Sequence, residues 1–150
     1  MTLMRNKKWD ERYLNLAEHI AQWSKDPSSK IGAVIIGDKG QVLSQGYNGF
    51  PRGFDDSDHL YADREFKLDH VIHAEMNCIY NASFSGISLD GATLYVHGLP
   101  ICHQCSLGVI QVGIKRVIMK SRDSERWRTS FEKTKANFKM AGVIYEIYWY

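Results

Sequence analysis

The spacing of apolar positions changes along the chain, and these changes predict the order of its first elements. Between Trp9 and Trp23 the large apolar side chains recur every three or four residues, which is the period of one face of a helix. Ile31–Ile36 is instead a continuous apolar run, and a turn of glycine and charged residues separates it from Gln41–Tyr47. The pattern therefore predicts a helix followed by two antiparallel strands.

The second half of the chain alternates predicted helices with predicted strands. The predicted helices are Ile72–Ala82, Ser106–Val112 and Ser124–Met140, and the predicted strands are Ala92–Val96, Lys115–Met119 and Val143–Trp149. No internal repeat, low-complexity tract or linker interrupts this order. The order of elements predicts a single layered α/β domain over residues 1–150, built on a mixed sheet.

The segment between Gly46 and Asp69 has no periodicity, and it is predicted to be a long irregular connection. Its first eight residues, Gly46–Gly53, hold three glycines and one proline, which favour special backbone angles. Long loops of this kind often carry function. Asn48, at the end of the predicted strand, is interpreted as a ligand contact, although a solvated connection is the alternative.

Composition narrows the classes of molecule that this protein is expected to bind. The chain has 150 residues, a hydrophobic fraction of 44% and a net charge of +2, which are ordinary values for one globular domain. This balance of charge does not favour a nucleic-acid or membrane partner. The region around Arg122 and Arg126 is locally basic, either as a solvated helix start or as a functional cluster. No apolar segment is long enough to span a bilayer.

Four residues carry the candidate chemistry: His73, Glu75, Cys102 and Cys105. One imidazole and two thiolates suit zinc, and three protein ligands leave open the fourth position that a catalytic zinc requires. Separately, a His-x-Glu or a Cys-x-x-Cys is a weak signal, since the latter is also typical of redox pairs and structural zinc sites. Together they resemble the H-x-E…P-C-x-x-C signature of zinc-dependent nucleobase deaminases, with one residue between Pro100 and the first cysteine.

This constellation predicts hydrolytic deamination. A zinc-bound hydroxide is expected to attack C4 of cytosine, while Glu75 carries the water proton to N3 and then to the leaving amine. A zinc-stabilised binding module is the alternative from another class, but it requires a closed site and leaves Glu75 without a role. His103 is expected to lie outside the ligand set, and Cys78 is expected to be a small buried side chain. Zinc-binding thiolates fit a reducing compartment, and we expect a cytoplasmic protein.

Most of the chain resembles the deoxycytidylate deaminase family. Four stretches carry the resemblance: Ser24–Ala33, Gly46–Gly53, His73–Asn77 and Ile110–Ile118. The resemblance implies a cytidine-deaminase-like three-layer fold, with a mixed five-stranded sheet flanked by helices. It also implies conversion of dCMP to dUMP with release of ammonia, which supplies dUMP for thymidylate synthesis. A homohexamer activated by dCTP and inhibited by dTTP is implied as well. The nearest rival is a tRNA adenosine deaminase or another base deaminase of the same fold, which the absence of a basic track disfavours.

The resemblance also assigns roles to individual positions. Its implied substrate contacts are Asn48 and Ala74, with Arg122 and Arg126 as candidates for the phosphate, and its implied allosteric region comprises Gly49, Phe50 and Arg52. Two departures are visible. Ile101 stands between Pro100 and the first zinc cysteine, where the family usually has proline directly before it. Near Asp63 there is no spare group of cysteine and histidine, so one zinc per chain is expected.

Overall fold

A computed structural model describes residues 7–150, and the first six residues of the predicted domain lie outside that part. Residues 7–150 form six helices and five strands. The helices are α1 (Lys7–Ala21), α2 (Asp58–Ala62), α3 (Arg64–His70), α4 (Ala74–Phe84), α5 (His103–Gln111) and α6 (Glu125–Ala141). The strands are β1 (Gly32–Ile36), β2 (Val42–Tyr47), β3 (Thr93–Gly98), β4 (Arg116–Ser121) and β5 (Ile144–Trp149).

The five strands form one mixed sheet in the order β2-β1-β3-β4-β5. β1 is antiparallel to both of its neighbours, whereas β3, β4 and β5 run parallel. A parallel pair needs a crossover connection, and α5 and α6 supply the two crossovers. The predicted fold class, a mixed five-stranded sheet flanked by helices, is confirmed.

The two faces of the sheet are covered by different helices, which makes three layers. Successive side chains of a strand point to opposite faces, so neighbouring strand residues enter different clusters. Val34 and Ile118 pack with α1, whereas Ile35 and Val117 enter the larger cluster with α4, α5 and α6. Helices α4, α5 and α6 therefore lie together on one face of the sheet.

Glycines allow two helices to lie close to the sheet. A Cβ atom on Gly46 of β2 would lie 2.5 Å from the backbone nitrogen of Cys78, and one on Gly32 of β1 would overlap the backbone of α1 at Ala17. Ser44 also donates a hydrogen bond of 2.6 Å to the carbonyl of Cys78. Helix α4 is consequently held against β2 at backbone-to-backbone distance.

A buried ion pair joins α1 to β4. The guanidinium of Arg116 donates to both carboxylate oxygens of Asp10, at 2.8 and 2.6 Å, and the hydroxyl of Tyr95 donates to the same carboxylate at 2.6 Å. Asp10 and Arg116 are 4% and 3% exposed, so each charge depends on the other for compensation.

The prediction of an irregular connection from Gly46 to Asp69 is wrong in its second half, which folds into α2 and α3. Both helices are too short to show an apolar period. The Asp63 side chain accepts a hydrogen bond from the backbone nitrogen of Phe66 and starts α3. Aromatic rings from the loop and the helices pack on one another, with Phe50 stacked on Tyr61 at 4.2 Å.

Most other predicted elements are present, with shifted ends. α4 begins at Ala74 and not at Ile72, and α5 begins at His103 and not at Ser106. Both shifts occur where a metal-site residue caps the helix, because a capping residue has extended backbone angles. None of the helices between residues 7 and 150 has the length and hydropathy that a bilayer crossing requires.

Candidate active site

The ends of two helices bring the candidate ligands together. His73 is the N-cap of α4 and Cys102 is the N-cap of α5, both with extended backbone angles, while Cys105 lies in the first turn of α5. The Sγ of Cys102 accepts the backbone N–H of Cys105 at 3.4 Å, which caps the helix with a ligand atom. Two helix N-termini therefore point their free N–H groups and partial positive charge toward one site.

The donor atoms have the spacing of a zinc site. His73 Nδ1 lies 3.5 Å from Cys102 Sγ and 3.4 Å from Cys105 Sγ, and the three donor atoms all lie within 4.8 Å of one another. Tetrahedral zinc with bonds of about 2.3 Å to sulfur and about 2.0 Å to nitrogen sets nitrogen and sulfur about 3.6 Å apart. The donor set fits zinc in both chemistry and separation.

Cys102 and Cys105 shift each other's thiol pKa in opposite directions. A hydrogen bond between them lowers the pKa of Cys102 and raises the pKa of Cys105, because the thiol of one stabilises the thiolate of the other. Contact with Cys102 also raises the pKa of His73. Without a cation the cluster thus favours one thiolate and not two, and a divalent ion at its centre favours both thiolates.

Glu75 lies in the first turn of α4, two positions from His73, and it is only 4% exposed. Burial raises the pKa of Glu75 to about 7, while the charge of His73 acts in the opposite direction. Glu75 is not among the three clustered donors. Its position suits a group that takes and returns protons near neutral pH.

A cleft of about 740 Å³, including its open mouth, lies over these residues. His73, Ala74, Glu75 and Cys102 form one end, and Asn48 and Arg126 also line the cleft. The structure therefore brings together all but one of the predicted catalytic, metal and substrate residues, since Cys105 joins them through the donor cluster. Arg122 is the exception.

Comparison with known proteins assigns the family. Residues 7–121 match the family model described as the cytidine and deoxycytidylate deaminase zinc-binding region. Over 147 residues the chain is 40% identical to the deoxycytidylate deaminase of Mus musculus, covering 92% of this chain and 78% of that protein. The chain belongs to the cytidine and deoxycytidylate deaminase family.

Two further relatives agree with this assignment. An uncharacterised deaminase encoded in the luxG 3′ region of Aliivibrio fischeri is 35% identical over 145 residues, covering 95% of this chain and 93% of that protein. The crystal structure of dCMP deaminase from the cyanophage S-TIM5, in complex with dCMP and dUMP, matches with a TM-score of 0.75 and 25% identity. It covers 97% of this chain and 100% of that chain.

In this deaminase the side chain of Asn48 is hydrogen-bonded to the backbone of two other residues that line the cleft. Its Oδ1 accepts the backbone N–H of Ile31 at 2.9 Å, and its Nδ2 donates to the carbonyl of Ser29 at 2.8 Å. The side chain therefore fixes the loop before β1. A side-chain amide has two N–H donors and two acceptor lone pairs, so Asn48 retains further capacity toward the cleft.

The two predicted phosphate candidates differ in position. Arg126 lines the cleft, with its guanidinium 5.0 Å from the ring centroid of Trp127. Arg122 does not line the cleft, and its Nη2 donates to the hydroxyl of Ser29 at 2.6 Å. Ser29 lines the cleft, so this hydrogen bond connects Arg122 to the site.

Sequence reasoning missed a buried ion pair in the wall of the cleft. Lys67 of α3 lies 3.1 Å from Asp26 and donates to the hydroxyl of Ser28 at 3.1 Å, and Lys67 and Asp26 are 6% and 5% exposed. Both line the cleft. Helix α3 was not predicted because the Gly46–Asp69 segment shows no apolar period. The burial of Lys67 was not predicted either, because its partner Asp26 is 41 positions away in the sequence.

Trp127 was also missed as a lining residue. Its ring meets the ring of His73 edge to face, with centroids 6.1 Å apart. A signal was present, since Trp127 and the buried residues Phe131, Thr134 and Phe138 recur every three or four positions of α6.

The proposed allosteric residues do not line the cleft, and Arg52 lines a separate surface depression with Asn81 and Phe84. Gly49 exchanges two backbone hydrogen bonds with Ile72, at 3.1 and 2.8 Å, directly before His73. The guanidinium of Arg52 lies 4.7 Å from the ring centroid of Phe84 and is hydrogen-bonded to Asn81. The glycine loop is therefore bonded to the backbone directly before His73, the candidate metal ligand.

Two residues that the sequence predicted to lie outside the ligand set are not among the clustered donors of the structure. His103 is hydrogen-bonded to Ser130 of α6 through its backbone and its ring, and it is not among the clustered donors. Cys78 is fully buried, and burial raises the pKa of its thiol to about 12. The expectation of a small buried side chain at Cys78 is confirmed.

Proposed function

We propose that this deaminase converts dCMP to dUMP and ammonia. The observation that carries the proposal is the placement of the His73, Cys102 and Cys105 donors at zinc spacing, beside buried Glu75, at an open cleft. Similarity to the mouse deoxycytidylate deaminase and to the cyanophage dCMP deaminase supports dCMP as the substrate.

Glu75 moves the protons of the reaction. When held by His73, Cys102 and Cys105, zinc supplies a Lewis acid that activates water at neutral pH. The carboxylate of Glu75 would accept a proton from the attacking water and deliver it to N3 of the cytosine ring, while the water oxygen bonds to C4. Glu75 would next take the remaining proton from that oxygen and give it to the amine at C4. The C4–N bond then breaks, a C4 carbonyl remains, and Glu75 returns to its starting state.

The remaining lining residues bind and orient the nucleotide. Asn48 and Ala74 contact the nucleoside, and Arg126 contacts the phosphate, with Arg122 acting from the rim through Ser29. Their positions in or beside the cleft support these roles. Trp127 and Leu99 give the cleft apolar surface, which helps to exclude water around the base.

We further propose one zinc per chain, a cytoplasmic homohexamer, activation by dCTP and inhibition by dTTP. The supply of dUMP for thymidylate synthesis follows from the proposed reaction. The backbone bridge between Gly49 and Ile72 supports a regulatory role for Gly49, Phe50 and Arg52, because a shift of that loop would act on the residue next to His73.

A substrate panel tests the proposal. Zinc-loaded protein is incubated with dCMP, cytidine, cytosine and tRNA, and ammonia and inosine are measured. Ammonia release from dCMP alone is the expected result. Inosine formation in tRNA would favour a tRNA adenosine deaminase, and inactivity on every substrate with zinc bound would favour a binding module. Repeating the dCMP assay with dCTP and dTTP tests the regulation separately, since a flat rate rejects regulation and spares the reaction.

A further inference from the structure

One face of α6 touches the segment that carries the metal cysteines. Ser130, Thr134 and Asn137 follow Trp127 at steps of three and four residues, which places them on one side of the helix. Three of these four side chains are polar, although they face the interior of the domain. The family model ends at residue 121, so it assigns no role to α6.

Thr134 holds the backbone directly before the first cysteine. It is fully buried, and its Oγ1 donates a hydrogen bond of 2.8 Å to the carbonyl of Ile101. Ile101 is itself fully buried, and it is the residue that stands between Pro100 and Cys102. A buried carbonyl needs a donor, and this one is satisfied by a helix distant in the sequence.

Ser130 holds the backbone between the two cysteines. Its Oγ accepts the backbone N–H of His103 at 2.9 Å and lies 3.0 Å from Nδ1 of the same residue. The N–H of His103 belongs to the first turn of α5, whose donors have no partner inside the helix. Because Ser130 uses a lone pair for that N–H, its own proton is available to Nδ1.

Asn137 holds the residue after the second cysteine. Its Nδ2 donates to the hydroxyl of Ser106 at 3.0 Å, and that hydroxyl donates in turn to the carbonyl of His103. Ser106 is fully buried and follows Cys105 directly. The segment is therefore bonded to α6 through the backbone of Ile101 and His103, before and between the two metal cysteines, and through the side chain of Ser106 after them.

We propose that Ser130, Thr134 and Asn137 are positioning residues, which hold Cys102 and Cys105 at zinc spacing before the metal binds. The segment that carries Cys102 and Cys105 is then ordered before the metal binds, so less of the free energy of metal binding is used to order it. Groups that orient metal ligands typically change metal affinity about 10–100-fold when removed. This inference rests on the zinc site of the proposed function and not on dCMP as the substrate.

Zinc affinity measured by competition with a chromophoric chelator tests the inference. Thr134→Val removes the hydroxyl group with little change in side-chain shape, whereas Thr134→Ser keeps a hydroxyl group at this position. Thr129→Val makes the same exchange on the exposed side of α6. We expect Thr134→Val to weaken zinc binding about 10–100-fold, with Thr134→Ser and Thr129→Val within about twofold of the wild type.

Ser130→Ala provides a second test at a half-buried position, should Thr134→Val fail to fold. Each variant is also loaded with Co²⁺, because the visible absorption of Co²⁺ reports its ligand geometry. Altered spectra and weaker zinc binding support the positioning role. Wild-type zinc affinity and Co²⁺ spectra in both Ser130→Ala and Thr134→Val would overturn it, even if both lose thermal stability. A wild-type protein that binds zinc but releases no ammonia from dCMP contradicts only the proposed function.

Discussion

Nδ1 of His73 lies 3.4 Å from Sγ of Cys105, although the two residues are 32 positions apart. Each belongs to the start of a different helix, α4 or α5, and both helices lie on the same face of the sheet. Glu75 follows His73 into α4, so the same packing that assembles the donors also sets the acid–base group beside them.

Glu75→Gln is expected to lower kcat by about 10²–10⁴ while zinc remains bound, because the amide keeps the shape of the carboxylate but cannot carry the proton. Steady-state ammonia release and metal analysis on the same preparation measure the two effects. Glu125→Gln, at an exposed position of α6, is the matched control and should keep full activity. Zinc loss from Glu75→Gln would show that Glu75 has a role in metal binding.

Asp10→Ala is expected to destabilise the fold by about 3–5 kcal/mol, because Arg116 would be left buried without its partner. Urea unfolding of the wild type and the variant measures the change. Asp123 forms an ion pair of similar length with Arg128, at 2.6 Å, but both side chains are more than half exposed. Asp123→Ala should therefore leave the unfolding curve almost unchanged. Equal shifts for the two variants would be inconsistent with a structural role specific to the buried pair.

Cys78 is expected to resist alkylation in the folded protein. Burial raises the pKa of its thiol to about 12. A raised pKa keeps the reactive thiolate scarce below that value, so at pH 8 nearly every Cys78 is a thiol. After zinc is removed with a chelator, iodoacetamide followed by mass spectrometry should find label on Cys102, whose pKa is lowered, and none on Cys78. In urea all three should react, and early labelling of Cys78 in the native protein would argue against its burial.

Gly46→Ala is expected to lower both stability and activity. Its added Cβ would lie 2.5 Å from the backbone nitrogen of Cys78, so α4, which carries Glu75, must move away from β2. Overpacking of this kind typically costs about 1–3 kcal/mol. Thermal unfolding and kcat are the measurements. Gly49→Ala is the control for stability, because its Cβ would meet its nearest neighbour, the hydroxyl of Tyr61, at 3.4 Å. Unchanged values for Gly46→Ala would mean that α4 tolerates the displacement.

The zinc site was predictable from the sequence because its residues cap helices. A capping position and a turn of α-helix confine His73 and the Cys-x-x-Cys pair to short segments, and the combination of the two segments indicates their chemistry. The strands were predictable for a similar reason, since long apolar runs and glycine turns are local signals.

Other parts of the site depend on tertiary contacts that leave no local pattern. Lys67 is buried because Asp26 compensates its charge, and the partners become neighbours only after α3 folds over the cleft. Thr134 reads as a neutral helix position until Ile101 is placed beside it. Such residues are recognisable from the coordinates and not from the period of the sequence.

X-ray absorption at the zinc edge tests the central claim most directly. Zinc held by His73, Cys102 and Cys105 with one open position should show two sulfur neighbours at about 2.3 Å and two lighter neighbours at about 2.0 Å. Adding a cytosine nucleotide should change the lighter shell and leave the sulfur shell unaltered. A first shell with a number of sulfur atoms other than two, or one that stays unchanged in every respect when the nucleotide binds, would contradict the account.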